Sequence, residues 1–261
     1  MKILFCSLIV ISVLYFSSAP GSFPVNKKIE ITAGASVADS LREQDVIRSA
    51  SLFKVLSLAM GASDELKAGR YVFDEPLSVW SVLARVRAGE YGLTVRKVTI
   101  PEGSSNEQIS EILGLDIGPS EEGYLFPDTY YFDQFVTSQE VRESMKANFI
   151  SKVGQITHDD VVLASLVEEE ASSTSDRKLI AGILEKRLDL GMPLQVDVAP
   201  ETYDHNSLPS EPIVNPGLDA ITAVREPATS KYLYYLSDKS GVIHYAQTFE
   251  EHKRNREKYG I

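Results

Sequence analysis

The chain has 261 residues, 43% of them hydrophobic and 24% charged, which is room for two unequal compact domains and excludes both a disordered chain and a protein of many membrane spans. A formal net charge of −11 excludes a polynucleotide partner, because phosphate binding needs a positive surface to release counterions. The single cysteine, Cys6, lies in the leading apolar run, so there is no intrachain disulfide and no thiolate for chemistry further on.

No side chain between Lys2 and Lys27 is charged, and residues 3–16 are apolar apart from Ser7 and Ser12. Residues 1–25 are therefore expected to target the chain to a membrane. Their apolar core is shorter than the ~20 residues of a comfortable span. Ser17-Ser18-Ala19 could be cleaved, but Pro20 follows directly with its fixed φ and missing N–H, which favours a retained single-pass anchor over a removed signal. Either outcome exports the remainder.

Residues 26–113 read as a small α+β module. A strand is predicted over 28–32, ending at Gly34, then a helix begun by Ser36 and Asp39 and carrying Val37, Leu41 and Val46, a weak capping-box pattern. A second helix spans 51–60, a turn and strand 68–73, and a third helix 78–87 closed by Gly89. Residues 95–100 form a strand running into Pro101-Glu102-Gly103-Ser104, and 106–113 a helix. The glycine-containing stretch 114–122 is the expected domain boundary.

In the second part, 114–261, helices are predicted over 138–153, 157–171 and 175–190, giving a helical core. Residues 193–216 hold five prolines and no helical period, as in the long loops that border functional sites. A short helix at 218–225, strands at 231–236 and 242–247 and a charged helix capped by Thr248 complete the chain.

The strongest chemical signal is Ala164-Ser165-Leu166-Val167-Glu168-Glu169-Glu170. Leu163, Leu166, Val167 and Glu170 fall at i, i+3, i+4 and i+7, so Glu170 shares an apolar helical face. Desolvation there, with the charges of Glu168 and Glu169 beside it, raises a carboxyl pKa and lets it serve as a general acid. Three glutamates in a row also read as a solvated helix end. The stretch 122–132 gathers five aromatics around Pro127-Asp128, a surface that can hold sugar rings or equally plug a core. Leu194-Gln195-Val196-Asp197 and Asn215-Pro216-Gly217, at the two ends of the proline-rich stretch, supply groups that suit hydroxyls and N-acetyl groups, or simple turns. The four histidines, His158, His205, His244 and His252, lack metal-ligand spacing. No G-x-S-x-G elbow, phosphate-binding loop or dinucleotide fingerprint occurs, so no metal or cofactor is expected.

Taken in order, the apolar N-terminus, Ala68-Gly69-Arg70-Tyr71, Ile100-Pro101-Glu102-Gly103, residues 122–132, 164–170, 194–197 and 208–217 make the chain similar to the YceG-like (MltG) family of endolytic murein transglycosylases. The family's Ala-Ser-Ile-(Val/Ile)-Glu-Lys-Glu has its catalytic residue at the second glutamate, which falls on Glu170. The resemblance implies an α+β protein: a membrane segment, a small LysM-like module and a larger mixed α+β catalytic domain. It implies cleavage of the MurNAc–GlcNAc bond to a 1,6-anhydro end, with Gln195, Asp197, Tyr203 and Asn215 lining the cleft and Asp128 and Glu168 supporting it. Tyr124 joins the substrate-binding set from the aromatic stretch. The implied partners are peptidoglycan glycan strands and, through the anchor, the bacterial inner membrane, with the catalytic part on its outer side. Proteins of cell-wall synthesis are left open as partners. This sequence departs from the family in three places. Glu169 replaces a lysine, Glu201-Thr202-Tyr203 stands for Asn-Thr-Tyr after a shortened stretch from Asp197, and Pro209-Ser210-Glu211-Pro212 stands for Pro-Pro-Gly-Pro. Two other readings compete: a catalytically silent glycan-binding or scaffold protein, and a hydrolase using Glu170 with Glu168 or Asp197 as the base for water.

Overall fold

The structure, a computed structural model, describes residues 12, 14–32 and 36–259. Most of the predicted membrane segment, with Lys2 and Cys6, and the Gly34 strand end lie outside the described residues. No helix among those described is long and apolar enough to cross a membrane. The fold is mixed α+β and divides into two compact units, residues 1–95 with 133–135, and residues 96–132 with 136–261.

The first unit runs β1 (Ile29–Ile31), α1 (Val37–Glu43), α2 (Ala50–Ala59), β2 (Gly69–Tyr71) and α3 (Val79–Ala88). Ile29 and Ile31 point into the core and Glu30 outward, the period-two pattern of a half-buried strand. β1 pairs antiparallel with β2, Ile29 opposite Tyr71 and Ile31 opposite Gly69. On its other edge the Gln44 side chain accepts the Glu30 N–H at 2.9 Å and donates to its carbonyl at 2.8 Å, which satisfies an otherwise open edge. Ser36, Ser49 and Ser78 cap the three helices. Gly69 has φ +140°, and a Cβ there would lie 2.7 Å from the Tyr91 ring, so glycine is required where this strand meets that ring.

The second unit holds most of β3 (Val95–Thr99), then α4 (Asn106–Leu113), β4 (Thr129–Asp133), α5 (Ser138–Val153), α6 (His158–Glu170), α7 (Thr174–Asp189), a 3-10 turn (Pro200–Tyr203), α8 (Leu218–Arg225), β5 (Tyr234–Ser237), β6 (Ile243–Ala246) and α9 (Phe249–Tyr259). α6 lies at its centre, packed on α7 and α8, and every residue from Val161 to Val167 is buried. β5 and β6 form an antiparallel hairpin, with Tyr235 opposite Tyr245, on which α9 packs.

The division between units falls at residue 95, not within the 114–122 stretch. β3 pairs with β4, and Ile100, Ile109, Leu113 and Ile117 share a buried cluster with Leu125, Tyr130, Phe132, Val141 and Met145. The strand and helix over 95–113 thus bury their apolar surface in the second unit. β4 is a strand where the sequence suggested an aromatic turn, because its partner is some thirty residues earlier in the chain.

Candidate active site

α6 ends in three carboxylates whose surroundings differ. The Glu168 side chain is 5% exposed and paired with Arg177 of α7, and its second oxygen accepts the Gly217 N–H at 2.9 Å. Arg177 also donates to the Ala171 carbonyl at 2.9 Å, so one guanidinium satisfies the helix terminus and offsets its negative dipole. Burial raises the proton affinity of Glu168, opposed by the Gly217 N–H and Arg177. With both oxygens taken by donors, Glu168 is the fixed member of the three. Glu169 is exposed.

Glu170 lies on the wall of a cleft of about 310 Å³, together with Glu168, Asp176, Arg177, Ser237 and Ile243. Burial pushes its carboxyl up to about 7, and the charges of Asp197 and Glu169 add to the rise; the Tyr235 hydroxyl and Arg187 guanidinium oppose it. Tyr235 acts from outside strict hydrogen-bond geometry, since its hydroxyl is buried without a partner. A carboxyl titrating near neutrality can both give and take a proton. The helical-face argument pointed to Glu170 but overstated the stripe: the helix is buried all round from Val161 to Val167, and Glu170 is set apart by lying where the helix meets the cleft.

Residues 194–203 fold back on themselves, held from beneath by Leu194, Val196 and Ala199. The buried Thr202 Oγ1 accepts the Val196 N–H at 2.9 Å and donates to the Ala199 carbonyl at 2.6 Å. The Gln195 N–H reaches the Thr202 carbonyl at 3.1 Å, with Gln195 held at φ +53°. Gln195 and Asp197 are thereby left exposed. The Tyr203 hydroxyl donates to Asp197, which with burial and the nearby Glu170 charge pushes the phenol up to about 12. Glu170, Asp197 and Tyr203 thus form one electrostatic cluster.

Three residues expected at the site are elsewhere or otherwise engaged. The Tyr124 hydroxyl bonds to His158 Nδ1 at 2.8 Å, at the first residue of α6, about 18 Å of helix away from Glu170. Asp128 is held by Lys152, Asn148 and the Thr129 N–H, which depress its carboxyl to about 2, and among the described residues no contact joins it to the Glu170 cluster. Asn215 is fully buried. Its Oδ1 accepts the Leu125 N–H at 2.9 Å, and its Nδ2 meets the Ser104 carbonyl, Asn106 Oδ1 and Glu122 Oε1 at 2.9 to 3.0 Å. Fully buried, with its N–H donors taken and its oxygen engaged by Leu125, its amide is closed to a sugar, so Asn215 is a structural hub and not a cleft residue.

The hub has a local purpose. The Gly103 N–H bonds to the Asn215 carbonyl and the Asn215 N–H to the Ser104 carbonyl, which lashes the 101–104 turn to the segment before α8. A Cβ on Gly217 would sit 2.1 Å from Glu102 Oε1, and one on Gly103 2.8 Å from Glu169 Oε1. Glu102 is therefore brought to the end of α6, although the sequence reading used it only as a motif. Arg187 and Tyr235 were also missed. Arg187 had a signal, since it continues the Ile180, Ile183, Leu184 stripe at i+7, where a charge is out of place.

The YceG-like family model matches residues 29–200 and 201–258. The chain belongs to the YceG-like family. Among YceG-like relatives, an endolytic murein transglycosylase of Bacillus subtilis is 26% identical over 309 aligned positions, covering 88% of this chain and 84% of that one. An endolytic murein transglycosylase of Streptococcus pneumoniae is 24% identical over 322 positions, covering 88% of this chain and 58% of its own length. Of YceG-like structures, a crystal structure of a protein from Listeria monocytogenes superposes with a TM-score of 0.55 at 26% identity, covering 88% of this chain and 98% of that one. The two matched segments meet at residues 200 and 201, inside the 3-10 turn between Asp197 and Tyr203, where the sequence had read a shortened stretch.

Proposed function

We propose that this protein is an endolytic murein transglycosylase with Glu170 as its acid and base. The observation that carries the reading is a carboxyl raised to about 7 on the wall of a cleft, while its neighbour Glu168 is locked to Arg177 and the Gly217 N–H. Protonated Glu170 gives its proton to the glycosidic oxygen between MurNAc and GlcNAc as that bond breaks. The resulting carboxylate takes the proton of the sugar's own 6-hydroxyl, whose oxygen closes on the anomeric carbon. No water is consumed, so no second carboxylate is needed as its base, unlike in two-carboxylate glycosidases. The engagement of Glu168 supports this over hydrolysis. Asp197 and Tyr203 lie within electrostatic reach of Glu170 and are read as substrate contacts, with Gln195 beside them.

The rest of the reading follows from family membership and the leading apolar sequence. The first unit, in which paired strands enclose two helices, is taken as the LysM-like module. The chain is held in the inner membrane by its N-terminal segment, with the cleft on the outer side and glycan strands as its polymeric substrate. Digestion of purified peptidoglycan tests the activity: the new sugar ends should be lighter by one water than hydrolytic ends. Reducing ends without that loss would replace the reading by hydrolysis, and binding without cleavage by a scaffold.

A further inference from the structure

Arg187 is a buried cation without a carboxylate. It is 4% exposed, and among the described residues no carboxylate forms an ion pair with it. Its Nε donates to the Leu233 carbonyl at 2.7 Å and its Nη1 to the carbonyls of Leu194 and Pro193, while the guanidinium plane lies over the Tyr234 ring at 5.2 Å. Removing such a charge from water costs several kcal/mol, and an apolar side chain would fill the space without that cost.

Its contacts show what the charge does. Leu194 immediately precedes Gln195 and the Asp197 segment, and Leu233 immediately precedes β5, which carries Tyr235. One planar fork therefore ties together the two strips of backbone whose side chains lie around Glu170, and does so from α7, the helix packed against α6. We propose, on the reading of Glu170 given above, that Arg187 is the positioning residue of this site: it fixes the Leu194 and Leu233 carbonyls, and its charge steadies the Glu170 carboxylate after proton transfer.

The groups that face Glu170 make this role specific. Glu169 on its own helix and Asp197 on the loop are acidic and disfavour ionisation, as does burial; Tyr235 on β5 supplies a hydroxyl, and Arg187 supplies the positive charge acting on Glu170. Without Arg187, the Tyr235 hydroxyl alone would oppose burial and the two neighbouring acids, and Glu170 would hold its proton more tightly. Arg187 is itself pushed below its ordinary range by burial, with Tyr235, Tyr234, Tyr203 and Glu170 favouring its charged form.

The test uses the full chain in detergent with Arg187→Met and Arg187→Lys. The carboxyl of Glu170 is titrated by carbon NMR, a measurement that does not depend on turnover, and glycan-strand cleavage is followed against pH. In Arg187→Met the Glu170 midpoint should rise, the pH at which cleavage declines should move with it, and kcat should fall more than KM changes. Arg187→Lys keeps the charge but not the fork, so its midpoint should stay closer to wild type while kcat still falls. If Arg187→Met does not fold, the lysine variant decides: a midpoint near wild type with reduced kcat supports the proposal, and normal kcat overturns it. A folded Arg187→Met with an unmoved midpoint overturns it as well. Absence of cleavage by the wild type would count against the transglycosylase reading alone, since the titration still reports the effect of Arg187.

Discussion

Arg177 and Glu168 form an ion pair in which the side chains are 8% and 5% exposed, and the same guanidinium holds the last turn of α6 through Ala171. Deleting the cation leaves a buried carboxylate and a helix terminus without a partner. Arg177→Ala should lower unfolding free energy by about 3 to 5 kcal/mol, measured by urea denaturation, and cleavage should fall with the folded fraction. A loss under 1 kcal/mol would mean that water replaces the guanidinium there.

Glu170→Gln retains size and polarity but has no transferable proton. Cleavage should drop by roughly 10² to 10⁴ while the thermal transition stays cooperative. Glu169→Gln, at an exposed neighbour, should stay within about tenfold of wild type. The reverse ranking would sink the assignment of the acid.

The raised affinity of Glu170 also predicts a pH dependence of stability. Below about 4.5 the group is protonated in folded and unfolded chains alike. Between there and about 7 the unfolded chain has lost its proton and the folded chain has not, so stability falls as pH rises through that window. The loss is about 3 kcal/mol at most. Wild type should lose that much more than Glu170→Gln between pH 4.5 and 8 in parallel denaturant titrations, and equal slopes would rule out the shift.

Asn215→Ala should act on folding and not on substrate affinity. It deprives the Leu125 N–H and Glu122 of a buried partner, a change worth about 3 kcal/mol. Denaturation should report it, whereas KM for glycan strands measured on the folded protein should remain within about twofold. A large KM effect with unchanged stability would restore the residue to the cleft.

What could be read from the sequence follows the range of the interactions. Helices with local signals came out nearly as they are: α4, α5 and α8 keep the predicted bounds, because a cap, a stripe and a stop all lie within one segment. β4 did not, since it exists through pairing with β3. The domain boundary failed for the same reason, as glycines mark a turn but not which core the flanking strand joins. At the site, spacing and family motif both point to Glu170. Asn215 was placed in the cleft because an exposed and a buried amide read alike until their partners are known. Arg187 and Tyr235 come to Glu170 from α7 and β5, across separations that no local pattern encodes.

The pinning of residues 194–203 by Thr202 bears on how chains of this kind can vary. Its bonds fix Val196 and Ala199 on one side of the 200/201 junction and belong to a residue on the other, so the tip between them is a cassette with anchored ends. Chain inserted there adds little to the difficulty of closure, about 0.6 kcal/mol for each doubling of loop length, and need not disturb Gln195, Asp197 or Tyr203. The tip can therefore lengthen or shorten without altering the proton chemistry at Glu170.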